Sequence, residues 1–549
     1  MAQRSTADER GAGTRQSRCK RFFFWAALSG VISGLVFLAT AELFALIFAR
    51  SASPILAVGG FVIDIVPQPF KEFVIATFGE YDKIALLAGL GLAVVIASAI
   101  AGILQLLRPP LGVIALVVAG ALSTAAIVTR AGVTALAFLP PVLGTIAGSI
   151  LIVLLIRRLQ TWKAAAATGQ DATGQDATGA AATSQYATEQ TPKALGRRQF
   201  FLLAGIAGVS AVIVGIASRT VSMTVASVAN IRDALKLPSP KSTVAVPKGA
   251  ELDIPGLSTL FTPNKDFYRV DTALTVPTID PSTWRLVIDG MVDQRVEMSF
   301  QDILDMGLDE YVITLTCVSN EVGGELVGNA KWLGVPLRDV LKKAGVKSGA
   351  DMVLSKSVDG YTASTPLSAL TDDNLDAILA VGMNGEPLPL EHGFPVRMVV
   401  PGLYGYVSAT KWLTELKVTT FDKDEAYWTP RGYSAEAPIK FASRVDTPKV
   451  GEAVEAGRIP IAGVAWAQSV GIERVEVRID EGDWVPATLS APINEDTWVQ
   501  WFLEWDATPG THYVAVRAIN KNGDLQIEER APIAPNGSSG WQRSLIRVS

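Results

Sequence analysis

Long apolar runs constrain this chain more than any other feature. Four stretches, residues 22–48, 84–107, 111–128 and 133–156, are each apolar over the length that crosses a bilayer as a helix, about 20 residues. A fifth, interrupted by glycine, follows at 200–217. In lipid a helix satisfies its own backbone hydrogen bonds, so these stretches predict membrane helices. They account for a mean hydropathy of +0.31, and almost all of the apolar excess precedes residue 225. Basic residues set the orientation. Arg4, Arg10, Arg15, Arg18, Lys20 and Arg21 precede the first span, and Arg108 lies between the second and third. Arg157, Arg158, Lys163, Lys193, Arg197 and Arg198 lie between the fourth and fifth, whereas the opposite loops hold only Arg50, Lys71, Lys83 and Arg130. Five crossings from an inside N-terminus put everything after Ser218 outside the cytoplasm. The expected location is therefore the cytoplasmic membrane, multi-pass, with lipid around the spans and the long C-terminal part on the extracytoplasmic side.

The spans themselves offer little redox chemistry. Haem b in a helical bundle takes axial histidines from the spans, but the two histidines of this chain, His392 and His512, lie far downstream. There is no CxxCH motif either, so no haem is expected and electrons must pass to or from a separate carrier, a cytochrome or a quinone-linked protein. Glu42 is a lone acidic group near the outer end of the first span, which gives ion conduction weak support. Residues 1–21 form a basic cytoplasmic tail, read as disordered, and 22–160 a four-helix transmembrane region. The loop at 50–83 is amphipathic and reads as interfacial. Residues 161–195 repeat ATGQD and read as a low-complexity linker that cannot build a core. A net charge of −5 is mild and argues against a nucleic-acid partner.

After a connector at 223–256 the pattern becomes one of short strands and short helices, an α+β arrangement without a regular βαβ rhythm or a glycine-rich dinucleotide fingerprint. Residues 311–318 are rich in β-branched side chains and run into polar, glycine-rich sequence, which predicts a buried strand delivering Cys317 to a loop mouth. Pro336 opens a short helix whose Leu337, Val340 and Leu341 share a face. Cys317 is the only cysteine of the C-terminal part, so it has no intramolecular disulfide partner there. Its type leaves two readings: a small buried hydrophobe, or a thiolate nucleophile or soft metal ligand. From Phe441 the chain turns all-β. Val475, Val477 and Ile479 alternate with Glu476, Arg478 and Asp480, then Val514, Val516 and Ala518 repeat the pattern, with turns at Gly482 and Gly523. An immunoglobulin-like sandwich fits, with Trp466, Trp484, Trp498, Trp501, Trp505 and Trp541 as core and interface filling.

Several long motifs, TCVSN, GNAKWLGVPLRDV, DGYTASTPL and ILAVGMNGEPLPLEHGFPVRMVVPGLYGYVSATKWL, occur in order and resemble the molybdenum-cofactor domain of the sulfite oxidase family. The resemblance runs from about Leu257 to Ser549. It implies a molybdenum ion held by one molybdopterin and by the thiolate of Cys317. Carried over position by position, it implies cofactor contacts from Asn264, Phe267, Tyr268, Asn320, His392, Arg397, Ser408 and Lys411. Backbone amides of 402–406 are a further candidate nest for the cofactor phosphate. It also gives weight to GRRQFFLL at 196–203 as a twin-arginine signal, since a domain loaded with cofactor inside must cross the membrane folded. Residues 196–222 are then a signal-anchor helix, expected to stay uncleaved.

Three departures bear on substrate. Glu321, Val270 and Val407 stand where sulfite-oxidising members have basic residues, so a dianion such as sulfite should bind poorly. Lys331, Arg338, Tyr427 and Arg431 are candidates to compensate. The expectation is a multi-domain chain: the transmembrane helices, a molybdopterin oxidoreductase domain at 257–430, and an immunoglobulin-like dimerisation domain at 431–549. Its function is two-electron oxygen-atom transfer to or from a small oxyanion or oxide substrate, with a homodimer implied by the resemblance. The competing expectation is a non-enzymatic surface module on a membrane tether, with Cys317 as a structural core residue.

Overall fold

The computed structural model describes residues 5–48, 58–62, 66, 77, 82–128, 136–171, 201–205 and 222–549. The chain divides into two compact units, Met1–Met223 and Thr224–Ser549.

The first unit is helical, with α1 (Ser5–Phe48), α2 (Asp82–Leu107), α3 (Leu111–Val128) and α4 (Leu139–Asp171). Within them Arg21–Ala45, Ile84–Leu107, Leu111–Val128 and Leu139–Ala164 are long and apolar enough to cross a membrane. Small residues let α1 and α2 approach closely: a Cβ on Gly30 would fall 1.9 Å from the Ser98 carbonyl oxygen, and one on Gly102 would fall 2.0 Å from that of Ala26. Two expectations are corrected. The basic tail is helical from Ser5, continuous with the first span, rather than disordered. The fourth helix runs to Asp171, into the stretch read as linker, because its alanines are strong helix formers once a helix has been started. Most of the 50–83 loop, Gly196–Phe200 of the twin-arginine motif, and the fifth span after Gly205 lie outside the described residues.

In the second unit the connector read at 223–256 begins with a helix, α5 (Ser222–Ala234). The part after it is built on two sheets. In chain order the strands are β1 (Arg285–Gly290), β2 (Val296–Ser299), β3 (Asp309–Thr316), β4 (Val327–Pro336), β5 (Met352–Ser357), β6 (Thr362–Pro366), β7 (Ile378–Met383), β8 (Glu386–Pro387), β9 (Arg397–Val399) and β10 (Leu413–Thr419). One sheet has the order β2-β1-β10-β5-β6, with β1 and β10 parallel. The other has the order β3-β4-β7-β8, with β9 on β7. Strand β7 is buried on both faces, which is why ILAVGM has no polar alternation. Its Leu379 and Val381 face a core shared with Leu286, Ile288, Leu416 and Val418, while Ile378 and Ala380 face Trp332, Phe394 and Phe267. Helix α6 (Leu337–Ala344) follows Pro336 and buries Leu337, Val340 and Leu341, as its spacing requires.

From Ala442 onward the region is β-rich, with one four-stranded and one five-stranded sheet. Val475, Val477, Val514 and Val516 of one sheet meet Ile461 and Trp501 of the other in a single core. Trp466, Trp498, Trp501, Trp505 and Trp541 are buried. Trp484 is half-buried beneath the guanidinium of Arg517, 4.1 Å from its ring centroid.

Candidate active site

Strand β3 pairs with β4 up to Thr316–Val327, and the chain then leaves the ladder in a tight turn. Cys317 is the first residue past that end. Its N–H donates to the Leu326 carbonyl at 2.9 Å, and its own carbonyl accepts from Asn320 N–H at 3.0 Å. The Asn320 side chain closes the turn by accepting from Leu326 N–H at 2.9 Å. The Sγ accepts from Ser319 N–H at 3.4 Å. Burial pushes the thiol pKa up, opposed by the Ser319 contact and by the charge of Lys411. A free Cys317 is thus a protonated thiol, and it becomes a thiolate when a cation binds it.

The sulfur opens into a cleft lined also by Phe267, Tyr268, His392, Arg397 and Lys411. Each is positioned by backbone geometry. Gly328 in β4 leaves room for the Phe267 ring, which a Cβ there would meet at 2.7 Å. Phe267 and Tyr268 stack with centroids 5.2 Å apart, and His392 meets the Phe267 ring edge-on at 5.6 Å. His392 Nε2 lies 2.9 Å from the Asn264 carbonyl oxygen, which makes it the donor of a neutral imidazole. Burial and the Arg397 charge hold its pKa down at about 4. Burial also pushes the Tyr268 and Tyr361 phenols above their ordinary range, with the Cys317 sulfur as a second cause.

Arg397 is 5% exposed, yet its hydrogen bonds run only to carbonyl oxygens of Met398, His392 and Ala409, at 3.2 to 3.4 Å. Its guanidinium lies 5.1 Å over the Trp332 ring. Among the described residues no carboxylate pairs with it, so the cleft holds a buried cation that calls for an anionic group. Burial lowers its pKa to about 10. Lys411 is the opposite case, with its Nζ 2.8 Å from Asp271 and 3.1 Å from the Glu391 carbonyl. Ser357, on the cleft wall, has a buried hydroxyl with no hydrogen-bond partner.

The sequence reading placed some residues differently. Asn264, Asn320 and Ser408 do not line the cleft. Asn264 bonds through its side chain to Glu386 and Asn384, and Ser408 bonds to the Leu403 and Tyr404 carbonyls. Glu321 is exposed on the rim of a different cavity, and Val407 is packed in the core, so neither touches the cleft. Only Val270 of the three departures lines it. Lys331 pairs with Glu310 at 3.5 Å and Arg338 with Asp373 at 3.6 Å, away from the lining, while Arg431 sits on the Tyr427 ring behind Trp428. Gly405 and Tyr406 of helix α7 (Gly405–Ser408) are the part of the 402–406 nest that reaches the cleft. Lining residues that sequence reasoning missed include Asp271, Asp359, Tyr361 and Trp428. Tyr361 Oη donates to the Tyr406 carbonyl at 2.6 Å, and DGYTASTPL carried the signal for it.

The donor set can be tested against the implied group. Among the described residues no three His, Cys, Asp or Glu gather to hold a metal ion. A metal at Cys317 must therefore bring most of its own ligands, as a metal carried on a sulfur-bearing organic cofactor does. The lone soft donor, the unpaired Arg397 and the orphaned Ser357 hydroxyl fit such a group, with an anionic end at Arg397.

Residues 273–428 match the family described as "Oxidoreductase molybdopterin binding domain". Human mitochondrial sulfite oxidase is 30% identical over 339 residues, 52% of this chain and 62% of that protein. Sulfite oxidase of Arabidopsis thaliana is 28% identical over 376 residues, covering 57% of this chain and 94% of that one. The uncharacterized oxidoreductase YuiH of Bacillus subtilis (strain 168) is 36% identical over 154 residues, 28% of this chain and 74% of that one. Site and match thus define a molybdopterin-binding oxidoreductase domain, as against a non-enzymatic surface module, in a chain that spans about three fifths of the length of the human relative, 62%. Within that class the chain belongs to the sulfite oxidase family.

Proposed function

We propose that this enzyme is anchored in the cytoplasmic membrane, faces the extracytoplasmic side, and performs two-electron oxygen-atom transfer with a separate cytochrome or quinone-linked electron carrier. The observation that carries the chemistry is the buried Cys317 thiol facing a cleft that also holds an unpaired Arg397. Bound there, molybdenum-molybdopterin would supply the oxygen-atom transfer. Cys317 would ligate the metal, Arg397 the phosphate, and the stacked Phe267 and Tyr268 the ring system. His392 stays neutral, and Lys411 shares the Asp271 carboxylate with Arg269. Asn264 and Asn320 act as positioning residues, the first through its carbonyl on His392 and the second by closing the Cys317 turn. Ser408 fixes helix α7 behind the cleft.

The cleft favours a neutral oxide over a dianion. Its lining carboxylates, Asp271 and Asp359, equal its lining cations, Arg397 and Lys411, and Arg397 is reserved for the cofactor. Val270, 47% exposed, and the Tyr361 and Trp428 rings add apolar surface to the wall. Reduction of an S-oxide or N-oxide is therefore the reading we favour. Sulfite oxidation is the second reading, supported by what the human and Arabidopsis relatives are called. A panel decides between them: sulfite with an artificial electron acceptor against sulfoxides and N-oxides with a reduced dye. Turnover of the oxides is expected, and sulfite turnover above theirs would overturn the preference.

Anchoring is supported by the four apolar helices and by outward-facing Leu92, Ile100, Ile114 and Leu122, each at least half exposed. Export by the twin-arginine route predicts that Arg197→Lys with Arg198→Lys strands the enzyme on the inner side. Unchanged display outside would overturn it. To the same proposal belong the cofactor domain at 257–430, the uncleaved signal-anchor at 196–222, and an immunoglobulin-like region at 431–549 through which the chain forms a homodimer.

A further inference from the structure

Helices α1 and α4 bring Phe22, Trp25 and Trp162 together at one end of the helical unit. Phe22 meets Trp162 edge-on with centroids 5.5 Å apart, and the Trp25 and Trp162 rings lie 6.3 Å apart. Arg21 lies over the Trp162 ring at 5.8 Å, and Arg158 is four residues before it, so this is a basic, aromatic end of the kind that sits at a membrane surface. Into the aromatic pair fits Phe201, which is remote in sequence from both. Its ring stands at 89° to Trp25 with centroids 5.0 Å apart, and 6.0 Å from Trp162. Three residues on, Ala204 is 8% exposed in the same core, with Leu203 packed beside it. Leu202, between them, is 63% exposed and points away. The contact is thus made by Phe201, which keeps 38% of its surface exposed, with Leu203 and Ala204, while Leu202 takes no part in it.

Residues 172–200, outside the described residues, separate the two partners in sequence and are rich in alanine, threonine, glycine and glutamine, with no long apolar run. A tether raises the local concentration of the segment but supplies no specificity. We propose that Trp25 and Trp162 form a docking site for the apolar segment beginning at Phe201, and that this contact holds the enzyme-bearing part on the four-helix unit independently of the covalent linker. The proposal rests on the reading of the chain as membrane-anchored. It gives the four-helix unit a defined role as the receptor for the enzyme's own anchor.

The test is made on the full chain with a protease site inserted within 172–193 and an affinity tag at the N-terminus. After membrane preparation, cleavage and solubilisation in mild detergent, the tagged fragment is captured and the C-terminal fragment on it is measured by blot and by bound molybdenum. The uncut and cut proteins are expected to give similar recovery. Phe201→Ala, which leaves the four-helix unit intact, and Trp25→Ala with Trp162→Ala should each lower recovery of the cut protein by about tenfold, the scale of lost aromatic contacts. Leu202→Ala should leave it unchanged. Separation of the wild-type fragments on cleavage, or equal loss from Leu202→Ala and Phe201→Ala, overturns the proposal. If the tagged fragment is instead recovered in the soluble fraction before detergent is added, it is the anchoring reading that fails.

Discussion

Lys411 Nζ lies 2.8 Å from an Asp271 carboxylate oxygen, and the two side chains are only 10% and 4% exposed. Asp271 also bonds Arg269 at 2.9 Å, so Asp271→Asn removes the counter-ion of the buried lysine together with a second ion pair and should cost about 3 kcal/mol well below pH 8. Burial already depresses the Lys411 pKa to about 8, with Asp271 holding it up. Above that pH the lysine is neutral in the folded wild type, and the pair no longer contributes. The difference in thermal stability between wild type and Asp271→Asn is therefore expected to be largest well below pH 8 and to shrink as pH rises toward 8, leaving above it only what the Arg269 contact to the same carboxylate contributes. A difference that stays constant from pH 6 to pH 10 contradicts this.

His392 gives a pH dependence of the opposite end. Its folded pKa of about 4 is below that of an exposed histidine. Between the two values the unfolded chain binds a proton that the folded chain refuses, so stability falls as pH drops through this window, by about 3 kcal/mol over its full width. His392→Gln keeps a donor toward the Asn264 carbonyl and cannot titrate. Its stability between pH 6.5 and pH 4 should fall less steeply than that of wild type, by one proton's worth. Denaturation midpoints across this range measure it, and parallel curves would sink the assignment.

Among the described residues Arg397 bonds only to carbonyl oxygens, and it presents a charge with no carboxylate beside it. If the anionic end of the cofactor completes it, Arg397→Gln should lower bound pterin by roughly tenfold or more, a charged hydrogen bond being worth about 1.5 to 3 kcal/mol. Arg397→Lys should recover only part, since it restores a point charge without the bidentate fork. Pterin released from purified protein by acid and measured by fluorescence gives the ratio. Equal pterin in wild type and Arg397→Gln would remove Arg397 from the cofactor site.

Much of the site was legible because its strands and turns are local. The β-branched run ending at Cys317 and the Pro336 helix are written in residue type and spacing, and the structure has both. Direction across a turn was not legible. Asn320 and Glu321 follow Cys317 by three and four residues, yet the tight turn sends the Asn320 side chain back to Leu326 and leaves Glu321 on another cavity. Distant segments complete the wall: Asp359 and Tyr361 from the β5–β6 hairpin, and Trp428 from beyond β10. Their convergence depends on sheet packing, which no single stretch encodes. Val407 was misread for the same reason, since its neighbour Tyr406 lines the cleft while the helical step turns Val407 into the core.

The account stands on the bond between the Cys317 sulfur and the metal of a bound cofactor. X-ray absorption at the molybdenum edge, on enzyme made in a host that assembles molybdopterin, counts that bond directly. Wild type is predicted to hold molybdenum with one more sulfur neighbour than Cys317→Ser, which should also lose turnover. Enzyme without molybdenum, or a variant whose sulfur count and turnover equal those of wild type, would contradict it.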